Sequence, residues 1–101
     1  MINPDLAHLL VDCATETGTG DGHERQYLLH TEAPRDLLRD LRYAGRTDFV
    51  TAWQSPRYRA ILLAAEGGGR IVAFADQAHF REAVQLARQG ILPEVAQVRE
   101  R

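Results

Sequence analysis

Residues 55–75 read SPRYRAILLAAEGGGRIVAFA, and the conformation of this stretch decides the fold. Ser55 followed by Pro56 is a typical helix start, and the Ala- and Leu-rich segment 57–66 ends at three consecutive glycines. These signals favour a helix over 57–66, followed by a buried strand over 71–75. The alternative is a β-hairpin in which residues 58–65 pair with residues 70–75 across the glycines.

Helix signals flank this stretch on both sides. Asn3 and Pro4 predict the start of a first helix, and Asp76 is a suitable cap for the last one. The predicted helices are 4–14, 34–44, 57–66 and 77–89, and the predicted strands are 26–31 and 71–75. Residues 15–23 are predicted to form a flexible loop, and residues 93–101 a loosely docked C-terminal segment. The sequence therefore predicts an α+β fold, a single helix-dominated domain over 1–101 with two or three short strands.

The composition is typical of a folded domain without disulfides. The chain has 101 residues, of which 45% are apolar and 26% charged, and it contains one cysteine, Cys13. No apolar run approaches the length of a membrane span, and the first ten residues lack the pattern of a signal peptide. We therefore expect a cytoplasmic protein that has no membrane partner.

Arginines in the second predicted helix are the sharpest functional signal. Arg35, Arg39, Arg42 and Arg46 recur at a helical spacing that would place four guanidinium groups in one arc. Such an arc is also compatible with a merely solvated helix face. The predicted partner-binding residues are Arg35, Arg39, Arg42, Tyr43, Arg46 and Arg57.

Charge is unevenly distributed along the chain. Residues 1–34, 35–70 and 71–101 carry net charges of −5, +3 and 0, within a total of −2. A basic middle segment suits docking to an acidic protein surface, or self-association in which the basic part of one copy meets the acidic part of another. A homodimer is therefore one possible assembly.

No catalytic, metal or cofactor motif stands out. His8, His23, His30 and His79 have no diagnostic metal-ligand spacing, and the glycine-rich stretches 18–22 and 67–69 do not fit a phosphate-binding loop. We therefore expect no catalytic residues, no metal and no cofactor.

These observations favour a small non-enzymatic interaction module, a regulator or inhibitor of a larger assembly, of the type of immunity proteins or phage-borne inhibitors. One alternative is a small homodimeric α+β-barrel enzyme or ligand-binding protein that uses His23, His30 or His79. The segment 52–62, AWQSPRYRAIL, is similar to one in small dimeric α+β-barrel proteins of uncharacterised or monooxygenase-like type, but the preceding chain lacks their long first strand. The other alternative is an accessory protein that binds nucleic acid.

Overall fold

One antiparallel sheet of six strands forms the centre of the protein, and three helices pack on it. A computed structural model describes residues 2–19 and 24–93. The elements are α1 Pro4–Leu10, β1 Ala14–Thr19, β2 Glu24–Leu29, α2 Arg35–Asp40, β3 Arg42–Arg46, β4 Val50–Ser55, β5 Ala60–Ala65, β6 Gly68–Phe74 and α3 Gln77–Arg88. The strand order is β1-β2-β6-β5-β4-β3, so that β1 and β3 are the two edge strands.

Both faces of the sheet are covered by helices, which gives three layers. One buried cluster joins Leu6 of α1 and Leu37 of α2 to Leu62 and Ile71 of the sheet; we call this side the α1–α2 face. The other cluster joins Phe80, Ala83, Val84 and Ala87 of α3 to Ala52, Ile61, Val72 and Phe74, and we call it the α3 face. The core is therefore divided between the two faces of the sheet.

The segment predicted as the helix 57–66 is instead strand β5. It forms a hairpin with β6, in which Ala65 pairs with Gly68, and this is the alternative that the sequence left open. Along β5, Ile61 and Leu63 face α3, whereas Ala60 and Leu62 face α1 and α2. Because both sides are buried, the strand is continuously apolar and resembles a helix in composition. The prediction of a helix-dominated fold with two or three strands is wrong, since strands contain more residues than helices.

The second helix is also shorter than predicted. It ends at Asp40 and not at residue 44, and residues 42–46 form the edge strand β3. Tertiary packing explains the difference: a Cβ added at Gly45 would lie 1.8 Å from the carbonyl oxygen of Ala87. The backbone of β3 thus lies directly against α3, an approach that is available only to an extended segment with a glycine at this position.

Two further boundaries differ from the sequence predictions. The predicted loop 15–23 is wrong over residues 15–19, which belong to β1 and pair with β2; residues 20–23 lie outside the described residues. The first helix ends at Leu10 rather than at residue 14. Of the predicted C-terminal segment 93–101, only Pro93 is among the described residues.

Two of the predicted helix caps, Asn3 and Asp76, are confirmed, whereas Ser55 ends strand β4 and caps no helix. The Asn3 side chain accepts a hydrogen bond of 2.9 Å from the amide of Asp5, and Asp76 accepts one of 2.9 Å from the amide of His79. The strands predicted over 26–31 and 71–75 exist as β2 and β6, with shifted ends.

Candidate partner-binding surface

The six predicted partner-binding residues are all exposed, but they do not share one helix. Arg35 and Arg39 lie on α2, whereas Arg42, Tyr43 and Arg46 lie on the edge strand β3. Arg57 lies in the turn between β4 and β5. We call Arg35, Arg39, Arg42, Tyr43 and Arg46 the basic edge. The single arc of four guanidinium groups is replaced by a surface built from a helix and the following strand.

A β-bulge sets the directions of the side chains on β3. Tyr43 pairs with Trp53 and Arg46 with Thr51, and the register shifts between Tyr43 and Gly45. As a result Tyr43 and Arg46, three residues apart, both point to the α1–α2 face. Arg42 pairs with Gln54 and points to the α3 face. The basic edge therefore presents charge on both sides of the sheet.

An aromatic pair lies in the middle of the basic edge. Tyr43 is 55% exposed, and its ring meets that of Trp53 edge to face, with centroids 5.9 Å apart and planes at 84°. Trp53 is half-buried and packs against the core cluster of the α1–α2 face. Trp53 thus holds the Tyr43 ring in one orientation, so that the exposed ring surface is already positioned when a partner binds.

The arginines of the basic edge are not neutralised by the part of the chain that the structure describes. Within it, no ion pair joins Arg35, Arg39, Arg42 or Arg46 to a carboxylate. By contrast, Arg25 on β2 forms a 3.1 Å ion pair with Glu16 on β1. The guanidinium groups of the basic edge are therefore available to carboxylates of another molecule.

Arg57 is positioned by a hydrogen-bond network at the end of α2. The Asp40 carboxylate accepts hydrogen bonds from the hydroxyl of Ser55 at 2.8 Å and from the backbone amide of Arg57 at 2.9 Å. The amide of Tyr58 donates to the Ser55 hydroxyl at 3.3 Å, and the Arg57 guanidinium lies 5.4 Å from the centre of the Tyr58 ring. This network fastens the β4–β5 turn to α2, so that Arg57 is held beside the helix that carries Arg35.

The histidines do not converge in the described residues. His79 lines a cleft of about 310 Å³ together with Glu24 and Glu82, and its Nδ1 lies 2.7 Å from the Asp76 carboxylate. His30 is exposed beyond the end of β2 and hydrogen bonds to the Thr15 hydroxyl. His23 lies outside the described residues. Among residues 2–19 and 24–93 there is no group of three or more His, Cys, Asp or Glu side chains that could hold a metal ion.

The only cysteine in the sequence, Cys13, is partly buried. Burial, and secondarily the negative charge of Asp12, raise the pKa of the Cys13 thiol above its ordinary value. Its sulfur lies 3.5 Å from the carbonyl oxygen of Leu9, to which it can donate a hydrogen bond. A raised pKa lowers the thiolate fraction at neutral pH, which is unfavourable for a nucleophile. Cys13 packs against the core cluster of the α1–α2 face, an environment typical of a packing residue.

Sequence reasoning overlooked two aromatic residues at the surface. Neither Trp53 nor Phe49, at 85% the most exposed large apolar residue among those the structure describes, is one of the six predicted partner-binding residues. The β4 register places Trp53 opposite Tyr43, and the β3–β4 turn exposes Phe49. Correct prediction of the β3–β4 hairpin would have revealed both.

Comparisons with known proteins do not place the chain in a family. No protein-family model matches it, and neither a curated protein nor a solved structure is significantly similar to it. Of the helices in the described part of the chain, none has both the length and the apolar character needed to span a membrane.

Proposed function

We propose that this chain is a small non-enzymatic interaction module that acts in the cytoplasm. It binds an acidic surface of a partner protein through the basic edge, as a regulator or inhibitor of a larger assembly. The observation that carries the proposal is Tyr43, which is exposed, packs on Trp53 and lies on the same strand as Arg42 and Arg46, two arginines without an ion-pair partner in the described residues. Tyr, Trp and Arg are the residue types that contribute most to binding energy at protein interfaces.

The placement of the charges supports a broad partner surface. Because Arg42 and Arg46 point to opposite faces of the sheet, a partner surface that covers only one face could not contact both. A partner surface that wraps the edge strand could contact both of them and Arg39 of α2. Charges of this kind accelerate association and make it sensitive to salt, while the aromatic pair supplies apolar contact at the centre.

The nucleic-acid alternative has weaker support from the geometry. Binding of single strands uses exposed aromatic rings as stacking platforms, and Trp53 is half-buried with its neighbour Tyr43 packed edge to face. The chain also has a net charge of −2 and no lysine, whereas affinity for phosphates rises with positive charge. The enzyme alternative would need at least two histidines in one pocket, and of the described histidines only His79 lines the cleft beside Glu24.

A nuclease-treated pull-down from the native host tests the proposal. We compare the wild type with Arg39→Glu/Arg42→Glu, which reverses two exposed charges without removing a core side chain. The matched control is Arg81→Glu, a charge reversal at an exposed position of α3 that, like Arg39 and Arg42, has no ion-pair partner in the described residues. Circular dichroism verifies that all three proteins are folded.

The expected result is a partner protein that survives nuclease, is retained by the control and is lost with the double variant. Binding of the purified partner should also weaken as salt is added, because exposed charge pairs are screened. Equal recovery by the double variant would refute the role of the basic edge. Recovery of nucleic acid alone would favour the nucleic-acid alternative.

A further inference from the structure

The tip of the β3–β4 hairpin carries an aromatic side chain that the rest of the molecule does not cover. Phe49 is 85% exposed, although it lies in a short turn closed by a 2.8 Å hydrogen bond from the amide of Thr47 to the carbonyl oxygen of Val50. The hairpin behind it is fixed, because Gly45 abuts α3 and Tyr43 packs on Trp53. Phe49 is therefore an apolar side chain presented on a rigid support. A single exposed apolar side chain is common on protein surfaces, so Phe49 becomes a candidate contact only if the molecule also offers a matching receptor site.

An apolar depression of about 340 Å³ lies on the α1–α2 face of the same molecule. Its walls include Leu29, Leu38 and Leu62, and Gly68 and Gly69 of β6 contribute no side chain to fill it. Gly69 lies on the α1–α2 face, and a Cβ added there would be 3.0 Å from a methyl carbon of Leu29 and 3.5 Å from one of Leu62, so the missing side chain lets these two leucines line the depression. Leu38 is 46% exposed, which leaves apolar surface at the opening.

The side chain and the depression lie at the same end of the sheet. Val50, which directly follows Phe49, pairs with Ala65, and Ala65 pairs with Gly68. Phe49 does not fill the depression of its own chain, as its exposure shows. When a projecting group and its receptor site are close together on one surface, a two-fold axis beside them allows both copies to insert at once and closes the assembly as a dimer.

Charge is complementary between the two parts. Arg46, on the hairpin that carries Phe49, points to the α1–α2 face and has no ion-pair partner in the described residues. Glu32 is exposed at the rim of the depression. The small net charge of −2 adds little repulsion between copies. The contact therefore combines an apolar centre with a charged rim, as protein interfaces do.

We propose that two copies of this chain form a symmetric dimer in which Phe49 of each copy enters the depression of the other. This inference does not depend on the function proposed above, because it concerns the hairpin tip and requires only the purified protein. It commits to a second copy of the chain as the occupant of the depression.

Sedimentation velocity over a concentration series tests the dimer with four proteins. Phe49→Ala removes the projecting side chain, and because the position is exposed this variant should fold normally. Ala64→Phe partly fills the depression, since Ala64 is half-buried in its wall. Val11→Ala is the matched control, which removes an exposed apolar side chain outside both the β3–β4 hairpin and the depression.

We expect the wild type and Val11→Ala to dimerise with similar dissociation constants. Phe49→Ala, which loses two buried phenyl groups per dimer, should raise the dissociation constant by roughly 100-fold or more. An equimolar mixture of Phe49→Ala and Ala64→Phe restores one of the two insertions and should associate more tightly than either variant alone.

A wild type that stays monomeric throughout the series would overturn the proposal. So would a Phe49→Ala protein that dimerises as well as the wild type, whatever the behaviour of Ala64→Phe. A Val11→Ala protein weakened as much as Phe49→Ala would also overturn it, because apolar surface outside the hairpin and the depression would then matter equally. None of these outcomes bears on the pull-down with Arg39→Glu/Arg42→Glu.

Discussion

Gly45→Ala should destabilise the protein severely, although it adds only one methyl group. The new Cβ would lie 1.8 Å from the carbonyl oxygen of Ala87 and 2.5 Å from its carbonyl carbon. Both contacts are with backbone atoms of α3, so no side-chain rotation can relieve them. Either β3 or the last turn of α3 must move, which separates Ala44 from the cluster that it shares with Val84.

The expected loss in the free energy of unfolding follows from the known cost of overpacking a core. Overpacking of a core by added methyl groups costs typically about 1–3 kcal/mol, and a clash that displaces two elements of backbone belongs at the upper end. We therefore expect a loss of about 3 kcal/mol in the free energy of unfolding. For a domain of this size the melting temperature should fall by roughly 12–24 °C.

Urea unfolding followed by circular dichroism measures this loss, with Gly67→Ala as the matched control. A Cβ at Gly67 would have no atom within 4 Å, and its φ is outside the left-handed region. That control should be neutral or gain up to about 1 kcal/mol, because alanine restricts the unfolded chain more than glycine does. If Gly45→Ala unfolded at the same urea concentration as the control, the close packing of β3 against α3 would be incorrect.

Three smaller perturbations test other contacts. Asp40→Ala removes the acceptor of the fully buried Ser55 hydroxyl and should cost about 1–3 kcal/mol in the urea assay; a loss below about 0.5 kcal/mol would contradict the network. Asp76→Ala removes the cap on the His79 amide and should cost about 1 kcal/mol, whereas Asp76→Asn, also a good cap, should retain most of the stability. Because burial raises the pKa of Cys13, alkylation of the native thiol should rise at a higher pH than alkylation of the urea-unfolded chain; coincident pH profiles would refute this.

The starts of α1 and α3 could be predicted from the sequence, because N-terminal capping is local. Asn3 and Asp76 each satisfy an amide within three residues, so the signal and the contact lie in the same short stretch. The helix starting after Asp76 also has a one-sided apolar face, with Phe80 and Val84 buried and Arg81 exposed. Local signals and tertiary packing agree there, and the prediction of this helix was correct.

The central hairpin could not be decided from local signals. Residues 60–65, AILLAA, are good helix formers, but in the sheet they are buried on both faces between α3 and the other two helices. A strand in this position has no polar alternation, so its period cannot be read from the sequence. The deciding contacts, such as Trp53 with Leu62 and Ala60 with Ala73, join separate strands of the sheet.

The candidate site was predicted in composition but not in shape. A spacing of four residues places side chains on one face of a helix and also on one face of an unbroken strand, so Arg42 and Arg46 fit both. In the structure the bulge between Tyr43 and Gly45 breaks this relation, and the two arginines point to opposite faces. The bulge itself depends on α3, because it is Ala44 and Gly45 together that pack on that helix.

The strand order places the acidic and the basic segments of the sequence at opposite sides of the sheet. Residues 1–34 carry a net charge of −5 and include β1 and β2, which form one side of the sheet. The arginines at 35–46 lie on α2 and β3, and β3 is the opposite edge strand. Four strands separate β1 from β3, so the acidic carboxylates of β1 and β2 cannot neutralise the basic edge within one chain at physiological ionic strength. A molecule of small net charge therefore keeps a concentrated positive edge, and this separation rather than the total charge is what an acidic partner would recognise.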